Sequence, residues 1–292
     1  MPFVHVNDIK LFYESVGIGQ TIVFIHGGYG GASSSVLPRK EPWVEGFKKH
    51  YNVITYDRRS AGRSSYPASA QNMNVFVDDL KGLIDELSIN NLFLIGSSAG
   101  GPVAIEYCLR YPDSLSGLIL ANTSARIWSH DGRAKHVEEL RRRFALLQSL
   151  GPKKTYDLLN IDSETTPFYL LDQIPNPPST DVAGHLMERQ ARIRALKNLL
   201  TKEDRIKYYN GELLNLASYL DLDMTDLLKN IKVPTLVIHG DADTQVPYHL
   251  GVEMARHING SLLHTVAGAG HSIMQWEAAA EQIKTFCDEL NC

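Results

Sequence analysis

The sequence predicts an α/β protein: a mostly parallel central sheet flanked by helices, with a helical insertion. Three observations carry this. Short apolar runs recur along the chain, amphipathic stretches separate them, and one long region lacks such runs. The runs cover residues 21–25, 53–56, 92–95, 118–120, 235–238 and 262–266. Bounded by Gly, Asp or Asn, they suit strands buried on both faces of a parallel sheet. Ahead of them, Phe3, Val4 and Val6 lead across Asn7-Asp8 into Ile9, Leu11 and Tyr13, which reads as an antiparallel hairpin.

Helical patterns alternate with the runs. Residues 75–87 place Val75, Phe76, Leu80, Leu83, Ile84 and Leu87 on one side. Residues 103–109 are apolar on one side and stop before Tyr111-Pro112, and the tail 278–290 is amphipathic. Strand–helix alternation implies an open sheet with right-handed crossovers. Between about 124 and 230 no buried strand run is visible. That region holds charged helical patterns at 137–150 and 185–200 and a break at Ile174-Pro175-Asn176-Pro177-Pro178, before the sheet pattern resumes at Val233-Pro234. The expected division is a core of residues 1–123 and 231–292 with a helical cap of 124–230. The cap's Arg141, Arg142, Arg143, Arg189, Arg192 and Arg194 suit either an anionic substrate or a solvated helix face. The second is the expectation, because charged residues normally coat exposed helices.

Composition narrows the function. The 292 residues are 43% hydrophobic, enough for one large core with an insertion. A net charge of -4 and the lack of a basic stripe argue against nucleic acid as partner. No segment has the 18 or more consecutive apolar residues of a membrane span, and the first residues lack a signal-peptide pattern, so a cytoplasmic protein is expected. The three cysteines, Cys108, Cys287 and Cys292, form no CxxC pair and fit a reduced compartment, with Cys108 a small core residue. No spacing of cysteines and histidines suggests a metal site. Oligomeric state is left open, a homo-oligomer included.

The segment with most chemistry is Gly96-Ser97-Ser98-Ala99-Gly100-Gly101, directly after one apolar run and before a helix. Gly-x-Ser-x-Gly between strand and helix is the nucleophile elbow. A serine on a sharp strained turn needs small residues two before and two after it, which Gly96 and Gly100 supply. The turn lifts the Ser98 hydroxyl above the sheet edge and aims the helix N-terminus at a reacting carbonyl, with the Ala99 amide as oxyanion donor. The bland alternative is a Gly/Ser-rich loop that only packs or binds phosphate. Ser97, the competing serine, falls at the variable position of the pattern.

With that elbow the chain resembles the α/β-hydrolase superfamily over nearly its whole length. The resemblance implies an oxyanion loop at His26-Gly27-Gly28-Tyr29-Gly30-Gly31, with the Gly28 amide as second donor and Tyr29 close to substrate. Asp57-Arg58-Arg59-Ser60-Ala61-Gly62-Arg63-Ser64 resembles the family's Asp-x-Arg-Gly-x-Gly-x-Ser turn, to which no chemistry is assigned. Ser60 replaces the usual first glycine, implying a somewhat different local backbone. The resemblance also selects Asp243 in Gly240-Asp241-Ala242-Asp243 as the acid, ahead of its rival Asp241. It selects His271 in Ala267-Gly268-Ala269-Gly270-His271 as the base, by the chain order Ser, Asp, His.

The implied chemistry needs no cofactor. His271 takes the Ser98 proton, Asp243 orients the imidazole, and an acyl-enzyme forms and is hydrolysed. A serine nucleophile sets the chain apart from haloalkane dehalogenases and most epoxide hydrolases of this fold, which place Asp there. A small-molecule ester or lactone is the first expectation. A proline iminopeptidase-like aminopeptidase stays open, with Glu188, Glu203 or Glu212 as amine ligand; Tyr29, where that family usually has Pro, and Ala99, where it often has an aromatic residue, depart from its pattern. A carbon–carbon bond hydrolase and a non-catalytic ligand receptor also stay open.

Overall fold

The computed structural model describes residues 2–30, 42–69, 71–126, 134–163, 191, 194–195 and 197–291. The chain opens as the predicted hairpin. β1 (Phe3–Val6) and β2 (Ile9–Gly17) pair antiparallel with Val6 opposite Ile9. Asn7 makes the turn with a left-handed φ of 50°, a conformation asparagine tolerates better than most residues. β2 then pairs antiparallel with β4 (Tyr51–Asp57). The remaining strands are β3 (Gln20–Ile25), β5 (Leu92–Ser97), β6 (Leu115–Ala121), β7 (Thr235–Gly240) and β8 (Leu262–Val266). They complete an eight-stranded sheet in the order β1-β2-β4-β3-β5-β6-β7-β8, parallel from β4 onward.

The order explains where a site can form. After β3 the chain passes to β4 on one side, and β5 then pairs with β3 on the other. The carboxyl ends of β3 and β5 lie side by side, with Ile25 opposite Gly96. Crossovers leave such a pair toward opposite faces, which opens a crevice above it.

Among the described residues, helices accompany the sheet: α1 (Pro42–Phe47), α2 (Met73–Glu86), α3 (Gly100–Arg110), α4 (Ala134–Leu150), α5 (Pro152–Leu158), α6 (Lys202–Ala217), α7 (Tyr248–His257) and α8 (Glu277–Leu290). The strand alternation splits the core in two. Val23, Ile25, Leu94, Leu118 and Leu120 pack with Phe76, Leu80 and Leu83 of α2 and Val103 and Tyr107 of α3. Ile22, Phe24, Phe93, Ile95 and Ile119 face the other way, onto Trp43 and Phe47 of α1 and Ile283 and Phe286 of α8. The helix α2 starts where the Asn72 side chain accepts the Val75 amide, a standard N-cap.

Several expectations meet their test here. The region between β6 and β7 contains no strand among the described residues; it supplies α4, α5 and α6. Arg141 pairs with Asp221, and Arg142 and Arg143 both pair with Glu139, while Arg194 is exposed. These arginines follow the solvated-face reading. Arg189, Arg192, Glu188, Gly31, Cys292, the proline break at 174–178 and most of the pattern 185–200 lie outside the described residues. Of the other glutamates, Glu203 is exposed and Glu212 is buried.

One expectation is corrected. β8 is not buried on both faces: it is the last strand of the sheet, and Leu262 and Leu263 are 50% and 40% exposed. Ser60 adopts φ 58°, the left-handed conformation a glycine takes freely, and is fully buried. Cys108 and Cys287 are buried free thiols, pushed up to about 12 by burial. Among the described residues no helix is long and apolar enough to cross a membrane.

Candidate active site

β5 ends at Ser97 and α3 begins at Gly100, so Ser98 and Ala99 make the whole turn. Ser98 has φ 49°, which costs a non-glycine residue on the order of 1–2 kcal/mol. Neighbours hold it there. The Ser98 amide donates to the Ala121 carbonyl at 3.0 Å. The Ser98 carbonyl accepts from the Gly101 amide at 2.9 Å and from the Thr123 hydroxyl at 2.5 Å. Flanking glycines are required by close approach. A Cβ on Gly96 would stand 2.7 Å from that of Ala104, and one on Gly100 2.4 Å from the Ile25 carbonyl oxygen.

The loops after β7 and β8 bring two more side chains to this turn. His271 Nε2 lies 2.9 Å from Ser98 Oγ, and its Nδ1 lies 2.8 Å from Asp243 Oδ2. Asp243 uses its other oxygen to accept the Gln245 and Val246 amides at 2.8 and 3.0 Å. Its acceptor-only carboxylate makes His271 Nδ1 the donor and leaves Nε2 to accept the serine hydroxyl. Burial pushes the Asp243 carboxyl up. Hydrogen bonds from His239 and His271, the His271 charge and the Val246 amide outweigh it and hold the group well below the usual carboxylate range. His239, fully buried, stands 3.5 Å from the same oxygen. The rival Asp241 is exposed and accepts the Gly268 amide at 2.6 Å. The rival Ser97 is buried and donates to Asn122 Oδ1 at 3.3 Å.

Over the serine runs the glycine loop after β3. A Cβ on Gly27 would fall 3.0 Å from that of Ser98 and 3.6 Å from its Oγ, so the loop runs close beside the serine side chain. Gly28 follows with a left-handed φ of 68°. His26 Nδ1 donates to the Gly27 carbonyl at 2.6 Å, and its Nε2 accepts the Arg58 amide at 3.2 Å. Tyr29 is buried, its ring edge-on to that of Tyr219 at 5.1 Å, and its carbonyl accepts from Asn215 of α6.

The structure adds residues that sequence reasoning missed. Asn122 donates to the His271 carbonyl at 2.7 Å. Its signal was available: Asn122-Thr123-Ser124 is a polar triplet directly after an apolar run, at the carboxyl end where ligands bind. Arg58 and Tyr219, which hydrogen-bond to each other at 2.7 Å, carry no such local signal. The open groove of about 490 Å³ bordered by Ser15, Gln20, Asn52 and Asn90 lies at the amino ends of β3 and β4, the opposite end from Ser98.

A hydroxyl, an imidazole and a buried carboxylate in hydrogen-bonded line can move a proton off the hydroxyl as it attacks an electrophile. The same arrangement occurs on unrelated folds, so the triad alone does not fix the family. A family model described as the alpha/beta hydrolase fold matches residues 20–278. A 2-hydroxy-6-oxo-6-phenylhexa-2,4-dienoate hydrolase of Comamonas testosteroni is 28% identical over 278 residues, covering 94% of this chain and 89% of the relative. A proline iminopeptidase of Saccharolobus solfataricus is 27% identical over 301 residues, covering 98% and 90%. The solved structure of a thermophilic esterase from Thermogutta terrifontis, with malate bound, matches with TM-score 0.70 and 25% identity, covering 97% of this chain and 95% of that one. With its strand order, its elbow and a family match over most of its length, the chain belongs to the alpha/beta hydrolase fold family.

Proposed function

We propose that this chain is a serine hydrolase that cleaves carboxylic esters or lactones through an acyl-enzyme. The observation that carries the reading is the unbroken line Ser98–His271–Asp243, at 2.9 and 2.8 Å. In it, His271 removes the Ser98 proton as Oγ attacks the carbonyl carbon. Asp243 holds the imidazole in the required tautomer and stabilises the imidazolium. The amides of Ala99 and Gly28 receive the oxyanion; one such donor is worth about 3–4 kcal/mol of barrier. His271 then protonates the leaving alcohol and activates the water that frees the acid. No step calls for a cofactor. Residues 124–230 act as a cap over the crevice, and Tyr29, next to the Gly28 donor, is assigned to the substrate wall.

Carbon–carbon bond hydrolysis is the second reading, favoured by the 28% identity to a dienoate hydrolase. The test is a hydrolysis screen of p-nitrophenyl esters, lactones, proline arylamides and a coloured vinylogous diketone, with Ser98→Ala as control. Ester or lactone turnover is expected, with kcat at least about 10³-fold lower in Ser98→Ala. Turnover of the diketone or the arylamide alone overturns the ester assignment. Ester hydrolysis that survives in Ser98→Ala overturns the nucleophile.

A further inference from the structure

Arg58 is 2% exposed, and among the described residues no carboxylate pairs with it. Its neighbour Arg59 takes Asp79 and Asp8 instead. A buried cation met only by neutral acceptors is costly to keep, so its contacts are informative. One guanidinium nitrogen donates to the Gly28 carbonyl. Another donates to the Tyr219 hydroxyl at 2.7 Å, and that hydroxyl donates to the Ala99 carbonyl at 2.8 Å. The Arg58 amide also reaches the loop, through His26, whose Nδ1–H holds the Gly27 carbonyl. That carbonyl shares a peptide unit with the Gly28 amide.

We infer that Arg58 and Tyr219 are positioning residues that set both walls of the oxyanion hole at once. The inference rests on Ser98 being the nucleophile and Gly28 and Ala99 the donors. Both proposed donor residues have their carbonyls tied to one guanidinium–phenol pair, so the spacing between the two walls is set by that pair. The Gly27–Gly28 peptide is further polarised by a hydrogen bond on its carbonyl, which strengthens its N–H as a donor. Tyr219 lies just beyond α6, in the insertion, and its ring packs edge-on to Tyr29 and stacks on Phe76. Seating of the insertion and geometry of the hole are thereby one event. Donors must sit within about 2.7–3.1 Å of an oxygen that exists only in the transition state. Losing this pair therefore lowers kcat and spares KM.

The experiment compares wild type, Tyr219→Phe and Arg58→Lys, with kcat expressed per Ser98 titrated by a fluorophosphonate so that only folded enzyme is counted. Tyr219→Phe removes one oxygen and keeps the ring packing. Arg58→Lys keeps the charge but cannot span both acceptors. Expected are a fall in kcat of about tenfold or more in each, KM within about twofold, and unshifted pH profiles of kcat/KM, since the Ser98–His271–Asp243 line is untouched. Native kcat in Arg58→Lys, or losses confined to KM, overturns the inference while leaving the nucleophile assignment intact. Failure of wild type to label at Ser98 removes that assignment, and the inference with it.

Discussion

Asp243 divides its work between its two oxygens. Oδ1 closes its own turn onto Gln245 and Val246, and Oδ2 faces His271. Asn at this position keeps an oxygen for the turn but presents an amide N–H to Nδ1. The imidazole must then carry its proton on Nε2, and Ser98 loses its acceptor. Asp243→Asn is expected to lower kcat on the order of 10³–10⁴-fold with KM little changed, as steady-state kinetics will report. The same residue links stability to pH. Its carboxyl is held below its ordinary value in the folded protein. The stability it contributes is therefore complete above the unfolded value of about 3.9 and lost as pH falls through the folded one. The difference in unfolding free energy between wild type and Asp243→Asn should narrow from about pH 7 to about pH 3 in urea titrations. A constant difference would contradict the hydrogen-bonded state described here.

At the level of elements, the turn after β4 ties the sheet to α2. Arg59 donates from Nε and Nη2 to both oxygens of Asp79 at 2.5 and 2.7 Å, and both side chains are buried. Removing one partner strands the other charge. Asp79→Ala is expected to cost about 3–5 kcal/mol by chemical denaturation. A loss under about 1 kcal/mol would show that Asp8, 3.2 Å from Arg59 and largely exposed, suffices as partner. The motif of this turn was legible in the sequence, and its neighbour across the helix was not. Asp79 sits on the buried stripe of α2, where the apolar pattern gives no reason to expect a charge. The central strands, β5 above all, were legible because burial on both faces favours apolar residues. The helix α6 was not, because it opens on charged residues and buries Tyr208, Tyr209 and Asn215 rather than a clean apolar stripe.

For the molecule as a whole, sheet order governs which substitutions matter. β8 ends the sheet, and Leu263 is 40% exposed, whereas Leu120 of β6 is fully buried in the core. Leu263→Lys should alter unfolding free energy by no more than about 0.5 kcal/mol. Leu120→Ala should cost about 2–5 kcal/mol. Comparable losses at both sites, read from denaturant midpoints, would mean that the β8 edge is covered in solution. The order also brings the carboxyl ends of β3, β5 and β6 together. The glycine loop, Ser98 and Asn122 lie at those three ends.

Residues near one another along the chain could be read without coordinates. The apolar runs, the hairpin at Asn7-Asp8 and the tight turn around Ser98 depend on contacts within a few positions, so sterics and period are visible in the letters themselves. Position 271 was named among 11 histidines through resemblance to a family. That it meets a hydroxyl 173 positions away depends on two loops from different strands closing over one crevice. The same holds for Arg58, whose partners at 28 and 219 come from opposite sides of the chain order. Such juxtapositions arise only when packing brings separate segments together, because no local pattern encodes what a side chain will find across a crevice.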